Sequence, residues 1–141
     1  MNSCNPWELK KKVLPQHTDH AGVMWHGTYL NWLEESRIHS IGKAGIQYIE
    51  LLNRGYEMPV YKIDIKYLKP IMIGEEIIVK SFFITNKGPR IKVNSTFTSL
   101  KDQIHAEASV DIVLINKETF KVVRKRPDFL EYYLNNLRNG P

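Results

Sequence analysis

From His17 to Arg37 the chain reads His-Thr-Asp-His-Ala-Gly-Val-Met-Trp-His-Gly-Thr-Tyr-Leu-Asn-Trp-Leu-Glu-Glu-Ser-Arg. One carboxylate (Asp19), three imidazoles (His17, His20, His26) and two glycines (Gly22, Gly27) crowd into its first half. A helix is expected directly afterwards, with Thr28 as its cap and Lys43 near its end. Helix N-termini offer unpaired amides and the positive end of the dipole. A carboxylate beside such amides can attack a carbonyl or activate water while the amides hold the developing oxyanion.

The same residue types allow other chemistry. An Asp before a turn commonly bonds nearby backbone amides and does nothing more. His17, Asp19, His20 and His26 are also metal-ligand types, but no His-x-x-x-His spacing on a helix accompanies them. No metal is therefore expected. His17 and His20 read as loop residues, and Glu34 and Arg37, three apart on a helix, as a local ion pair.

The elements that must position these groups follow from periodicity. Residues 7–18 read as a first strand, made irregular by Pro15. After the 28–43 helix, Gly45 to Leu52 reads as a shorter helix ended by Gly55. The period then changes. Tyr61, Ile63, Ile65 and Tyr67 alternate with Lys62, Asp64 and Lys66, and Pro70 and Gly74 break the pattern. Residues 76–85, 91–98 and 104–114 are further strands, with Asn86-Lys87-Gly88-Pro89 a hairpin turn between the first two. A return strand is expected at 120–123, then a helix over 128–138 with Pro127 at its first position. Strand, helix, then four or five antiparallel strands gives an α+β fold. Apolar residues spread around much of the long helix, which suits a curved sheet wrapped about it. Such a sheet keeps free edges, so a dimer is expected.

At 141 residues with 43% hydrophobic and 25% charged residues, the chain has the composition of one globular domain spanning residues 1–141. One cysteine, Cys4, allows no intrachain disulfide; with no leader-like N-terminus, a cytoplasmic location is expected. No apolar run approaches the roughly 20 residues that span a bilayer. The net charge is +5, and cations gather at Lys87, Arg90 and Lys92 and again at Lys121, Arg124, Lys125 and Arg126. Solvated strand ends explain them; so does a phosphate-bearing ligand, either a nucleic acid or coenzyme A.

The stretch Thr18-Asp19-His20-Ala21-Gly22-Val23-Met24-Trp25-His26, with Tyr29, Glu34 and Arg37 after it, resembles the signature of the hotdog-fold acyl-CoA thioesterases of the 4-hydroxybenzoyl-CoA thioesterase family. Tyr67-Leu68-Lys69-Pro70 and Gly74-Glu75 are similar to that family's following strand and turn. The resemblance implies a sheet wrapped around one central helix and a homodimer or homotetramer with sites between protomers. It further implies hydrolysis of an acyl-CoA to free acid and coenzyme A, with no cofactor beyond the substrate's own coenzyme A. By position, Asp19 would be the reacting carboxylate, and the amide of His26 would polarise the thioester oxygen. Gly22, Val23, Trp25 and Tyr29 would shape the acyl pocket, and Lys87, Arg90 and Lys92 would meet the nucleotide phosphates, although Gly88-Pro89 interrupts that basic run. Two rivals remain: a dehydratase on the same fold, and a basic module that stacks single-stranded nucleic acid on Tyr61, Tyr67, Phe82 and Phe97. Core packing is the simpler explanation of those four aromatics.

Overall fold

The computed structural model describes residues 4–141. Its strands are β1 (Trp7–Lys12), β2 (Tyr56–Glu57), β3 (Val60–Tyr67), β4 (Glu76–Ile84), β5 (Arg90–Ser99), β6 (Ile104–Val113) and β7 (Ile115–Asn116). The helices are α1 (His26–Lys43), α2 (Tyr48–Asn53) and α3 (Asp128–Asn139). Five strands form one antiparallel sheet in the order β1-β4-β5-β6-β3, and β2 pairs with β7 separately.

Alternation decides which face meets α1. Ile77, Val79 and Phe83 of β4, Ile91, Val93 and Phe97 of β5, and Ala106, Ala108, Val110 and Ile112 of β6 are buried in one cluster. Tyr29, Trp32, Leu33 and Ile41 of α1 join the same cluster. At the helix centre Ser36 hydrogen-bonds Ser81 (3.3 Å), which hydrogen-bonds Ser95 (2.7 Å). Small side chains let the backbones approach, and the hydroxyls satisfy one another, so burying them costs little. A second helix seals the far end. Leu130, Leu134 and Leu137 of α3 are buried, and the Trp7 indole N–H donates to the Leu137 carbonyl (2.9 Å).

Several boundaries differ from expectation. The first strand stops at Lys12, because Pro15 opens a 3-10 turn over Pro15–His17. The long helix begins at His26 with Trp25 as its cap residue, and the Thr28 hydroxyl instead donates to the His17 carbonyl (2.9 Å). Gly45 adopts φ +112°, which holds its segment out of helix and delays α2 to Tyr48. Residues 120–123 form no strand, only a bridge between Ile115 and Val122, since Phe120 at φ +58° turns the chain. Pro127 is the cap residue of α3 rather than its first helical residue.

Core packing of the four strand aromatics also needs correction. Phe97 is fully buried, but Tyr61, Tyr67 and Phe82 are 50%, 54% and 44% exposed. Phe82 lies on the outer face of the sheet, opposite Asn94. Ile63, Ile65 and Tyr67 point to the α1 side, in register with Val110, Ala108 and Ala106, but at this edge α1 no longer covers the sheet. Leu30 and Ile38 of α1 are likewise exposed, so the sheet embraces one side of the helix, not its whole circumference.

Candidate active site

Residues 17–25 close into a small hairpin. The Asp19 amide donates to the Val23 carbonyl and the Trp25 amide to the His17 carbonyl, both at 2.9 Å. Gly22 makes the tip with φ +78°, a conformation that L side chains rarely adopt. Within this frame one Asp19 oxygen, Oδ1, accepts from the amides of Ala21 (2.9 Å) and Val23 (3.2 Å). The turn role of Asp19 is thus fully met, and it orients the side chain. Oδ2 takes no hydrogen bond or ion pair among the described residues. Asp19 is exposed in the single chain.

The hairpin delivers the chain into α1 at His26. The amides of His26 and Gly27 find no partner among the described residues, as expected for the first helical turn. Thr28 is already engaged, its amide donating to the Trp25 carbonyl (2.9 Å). The Trp25 ring, half exposed, tilts against His26 with centroids 5.0 Å apart and lies over Gly27. A Cβ at Gly27 would fall within that ring.

A cavity of about 340 Å³ opens beside this helix start, lined by Val23, Met24, His26, Tyr29, Tyr67, Leu68, Lys69 and Pro70. Tyr29 forms its buried wall, edge-on to Tyr67 (4.9 Å) and Phe97 (5.0 Å). Burial, with lesser contributions from Tyr67 and Glu75, pushes the Tyr29 phenol up to about 12, so it stays neutral. The structure therefore brings Asp19, Gly22, Val23, His26 and Tyr29 onto one hairpin and one helix end. It leaves Trp25 on the outside, over Gly27. Met24, Tyr67, Leu68 and Gly27 were not expected at the site. The one signal for Tyr67 was its place at the end of an apolar face that outruns the helix.

The histidines part company. His17 turns inward, its Nδ1 accepting from the Leu14 amide (3.0 Å) and its ring edge-on to Trp32. His20 stays exposed in the turn. Among the described residues no three His, Cys, Asp or Glu side chains converge.

The basic hairpin sits elsewhere. Arg90 opens β5 and Phe97, against Tyr29, lies seven residues on, roughly 23 Å away at ~3.3 Å per residue. Lys87, Arg90 and Lys92 line a separate depression of about 410 Å³ with Tyr61, and the Arg90 guanidinium lies 5.6 Å from the Tyr61 ring centre. Lys92 is paired with Asp111 (2.8 Å), which leaves Lys87 and Arg90 to meet an anion. Glu34 and Arg37 do pair on α1, at 3.7 Å.

Comparison with known proteins agrees with this geometry. The family model described as "Thioesterase-like superfamily" matches residues 13–133. The chain is 28% identical over 133 residues to the esterase-like protein sll0410 of Synechocystis sp., covering 94% of this chain and 80% of that one. It is 27% identical over 116 residues to the acyl-CoA thioesterase-like protein YneP of Bacillus subtilis, covering 82% and 84%. Superposed on the crystal structure of DHNA-CoA thioesterase from Staphylococcus aureus it gives a TM-score of 0.82 at 26% identity, covering 92% and 89%. The wrapped sheet, the Asp19 hairpin and the family match together assign the chain to the thioesterase-like superfamily, as a hotdog-fold thioester hydrolase.

Proposed function

We propose that this hydrolase cleaves acyl-CoA thioesters at a site shared by two copies of the chain, with Asp19 as the reacting carboxylate and no cofactor beyond the substrate. The observation that carries this reading is the locked Asp19. Two backbone amides fix one of its oxygens, and among the described residues the other is free and the amides of His26 and Gly27, on the same hairpin-and-helix unit, are unpaired. Asp19 acts on the thioester carbonyl, by direct attack or by activating water. The His26 amide accepts the negative charge that builds on the carbonyl oxygen. The carbon–sulfur bond then breaks and coenzyme A leaves as the thiol; water supplies the second oxygen of the free acid, in that same step or by hydrolysing the Asp19–acyl anhydride that direct attack leaves. The acyl group occupies the cavity behind Val23 and Tyr29, whose size and aromatic walls favour an aryl or short aliphatic acyl chain. YneP is described as acting on acyl-CoA and the Staphylococcus aureus enzyme on DHNA-CoA, which supports the coenzyme A end of this reading. Both rivals, dehydration and nucleic-acid binding, lack such support.

The second copy follows from the β3 edge. Its other neighbour would be a strand, because β3 pairs with β6 alone while exposing Val60, Tyr61, Ile63 and Tyr67. Two-fold antiparallel pairing of β3 with a partner's β3 sets the Val60 end of one beside the Tyr67 end of the other. That pairing carries a partner's Lys87 and Arg90 toward the cavity, where they would meet the nucleotide phosphates.

Asp19→Asn tests the assignment. Asn keeps an oxygen for the Ala21 and Val23 amides but loses the charge. The expected loss in kcat is about 10²- to 10⁴-fold on an aryl- or short acyl-CoA, with the melting temperature unchanged. Near wild-type turnover by Asp19→Asn would falsify the proposal.

A further inference from the structure

Alternation along β6 puts His105 with Glu107 and Ser109 on the polar face of the sheet, away from Ala106 and Ala108. The structure buries it instead, leaving only 6% of the residue exposed. A slip in the ladder is the cause. Phe97 of β5 faces Ala106 while Thr98, its next residue, faces Ile104, so His105 is the extra residue of a bulge. Bulges re-aim a side chain without ending the strand pair. This one brings the imidazole against the segment that leaves β3.

That segment, Leu68 to Pro70, forms one wall of the acyl cavity. It is lightly held. The Leu68 and Lys69 amides share a single acceptor, the His105 carbonyl (2.9 Å each), and Pro70 has no amide to offer. Among the described residues the Pro70 carbonyl meets only the His105 ring, with Nδ1 at 3.1 Å. A carbonyl can only accept, so Nδ1 carries the proton. The one other hydrogen bond from this wall among the described residues is exposed, from Lys69 Nζ to Gln103 (3.0 Å). Beyond the wall the chain is anchored again by buried Ile71, whose carbonyl accepts from the Met24 amide (2.7 Å).

The wall also stands between two hollows. Lys69 and Pro70 line the acyl cavity of about 340 Å³ and, with His105, a groove of about 650 Å³ that runs past Ser99, Leu100 and Gln103. Retreat of Pro70 into that groove would join the two and lengthen the space open to an acyl chain.

We propose that His105 is a positioning residue that sets the acyl-length limit of the hydrolase. Its Nδ1–H holds Pro70 forward and keeps the acyl cavity closed to the groove. The inference rests on the acyl group occupying that cavity, as proposed above. The Asp19 hairpin keeps its own hydrogen bonds whatever the wall does, so loss of the imidazole alters which acyl chains fit and not the reacting groups.

The test measures kcat/KM on benzoyl-CoA and on decanoyl-CoA. Loss of one buried hydrogen bond shifts an equilibrium about two- to tenfold. In His105→Ala and His105→Leu the decanoyl-to-benzoyl ratio should therefore rise at least about threefold, chiefly through a lower KM for the longer chain. His105→Asn, whose side-chain amide can donate to the same carbonyl, should keep the wild-type ratio. A merely structural histidine would change the folded fraction, which scales both substrates alike and cancels in the ratio. Imidazole nitrogen NMR of the wild-type protein in alkaline buffer needs no variant, and should find the His105 proton on Nδ1. An unchanged ratio in His105→Ala and His105→Leu overturns the inference. So does a shift in His105→Asn as large as theirs, or a proton on Nε2. Any of these with benzoyl-CoA still hydrolysed leaves the hydrolase standing; a wild type that hydrolyses neither thioester sinks the acyl-CoA reading and this inference with it.

Discussion

At the scale of single residues, Asp19 has two jobs that substitutions can separate. Its Oδ1 ties the 17–25 hairpin through Ala21 and Val23, and its charge is what the proposed reaction uses. Asp19→Asn removes only the second. Asp19→Ala removes both, and with two backbone amides left unpaired it should also lower stability by about 1–2 kcal/mol, read from denaturant unfolding. Tyr29 gives a different signature. Its phenol rises from 10.0 to about 12 in the folded chain because burial disfavours the anion. A raised folded value means the folded state binds the proton more tightly, so this contribution is intact below pH 10 and is lost as pH climbs toward about 12. Tyr29→Phe has no such proton. Its unfolding free energy should fall less steeply than wild type between those two pH values, and parallel curves would refute the assignment.

Among the elements, the start of α1 is decided by a contact rather than by a cap. The Trp25 ring can lie over the helix start only because Gly27 has no side chain. Gly27→Ala should swing the indole outward, unshielding the His26 and Gly27 amides. KM for aryl-CoA should rise several-fold while the helix, gaining roughly 1 kcal/mol of propensity, loses no stability. Trp25 fluorescence reports the swing directly, and an unaltered spectrum would show that the ring is seated some other way. The patterns of β4, β5 and β6 were plain in the sequence because one face of each meets α1. The short return strand was not, since Phe120 takes a positive φ that no residue type there foretold.

For the whole molecule, the Asp19 carboxylate and the basic hairpin lie at opposite ends of one sheet. Either the hairpin serves no substrate, or it serves the site of a second copy. Mixing two inactive proteins distinguishes these. Asp19→Asn and Arg90→Glu, refolded together, should regain activity through heterodimers that hold one site with both native residues. Separate proteins and a mixture of equal, low rate would rule out the shared site. Residue types and spacing alone determined the family signature, the central helix and the succession of strands along the chain, because these depend on neighbours close in sequence. Alternation could say that Tyr61, Tyr67 and Phe82 share sheet faces with other residues, but not whether anything covers those faces. Cover is a property of the assembled layers: α1 meets β3 only through Tyr29 and leaves most of that strand open, so Phe97 is core while Tyr67 lines a cavity. The tertiary structure likewise decided which histidine lies beside the proposed site. His17 is spent on Leu14 and Trp32, and His26 opens the helix.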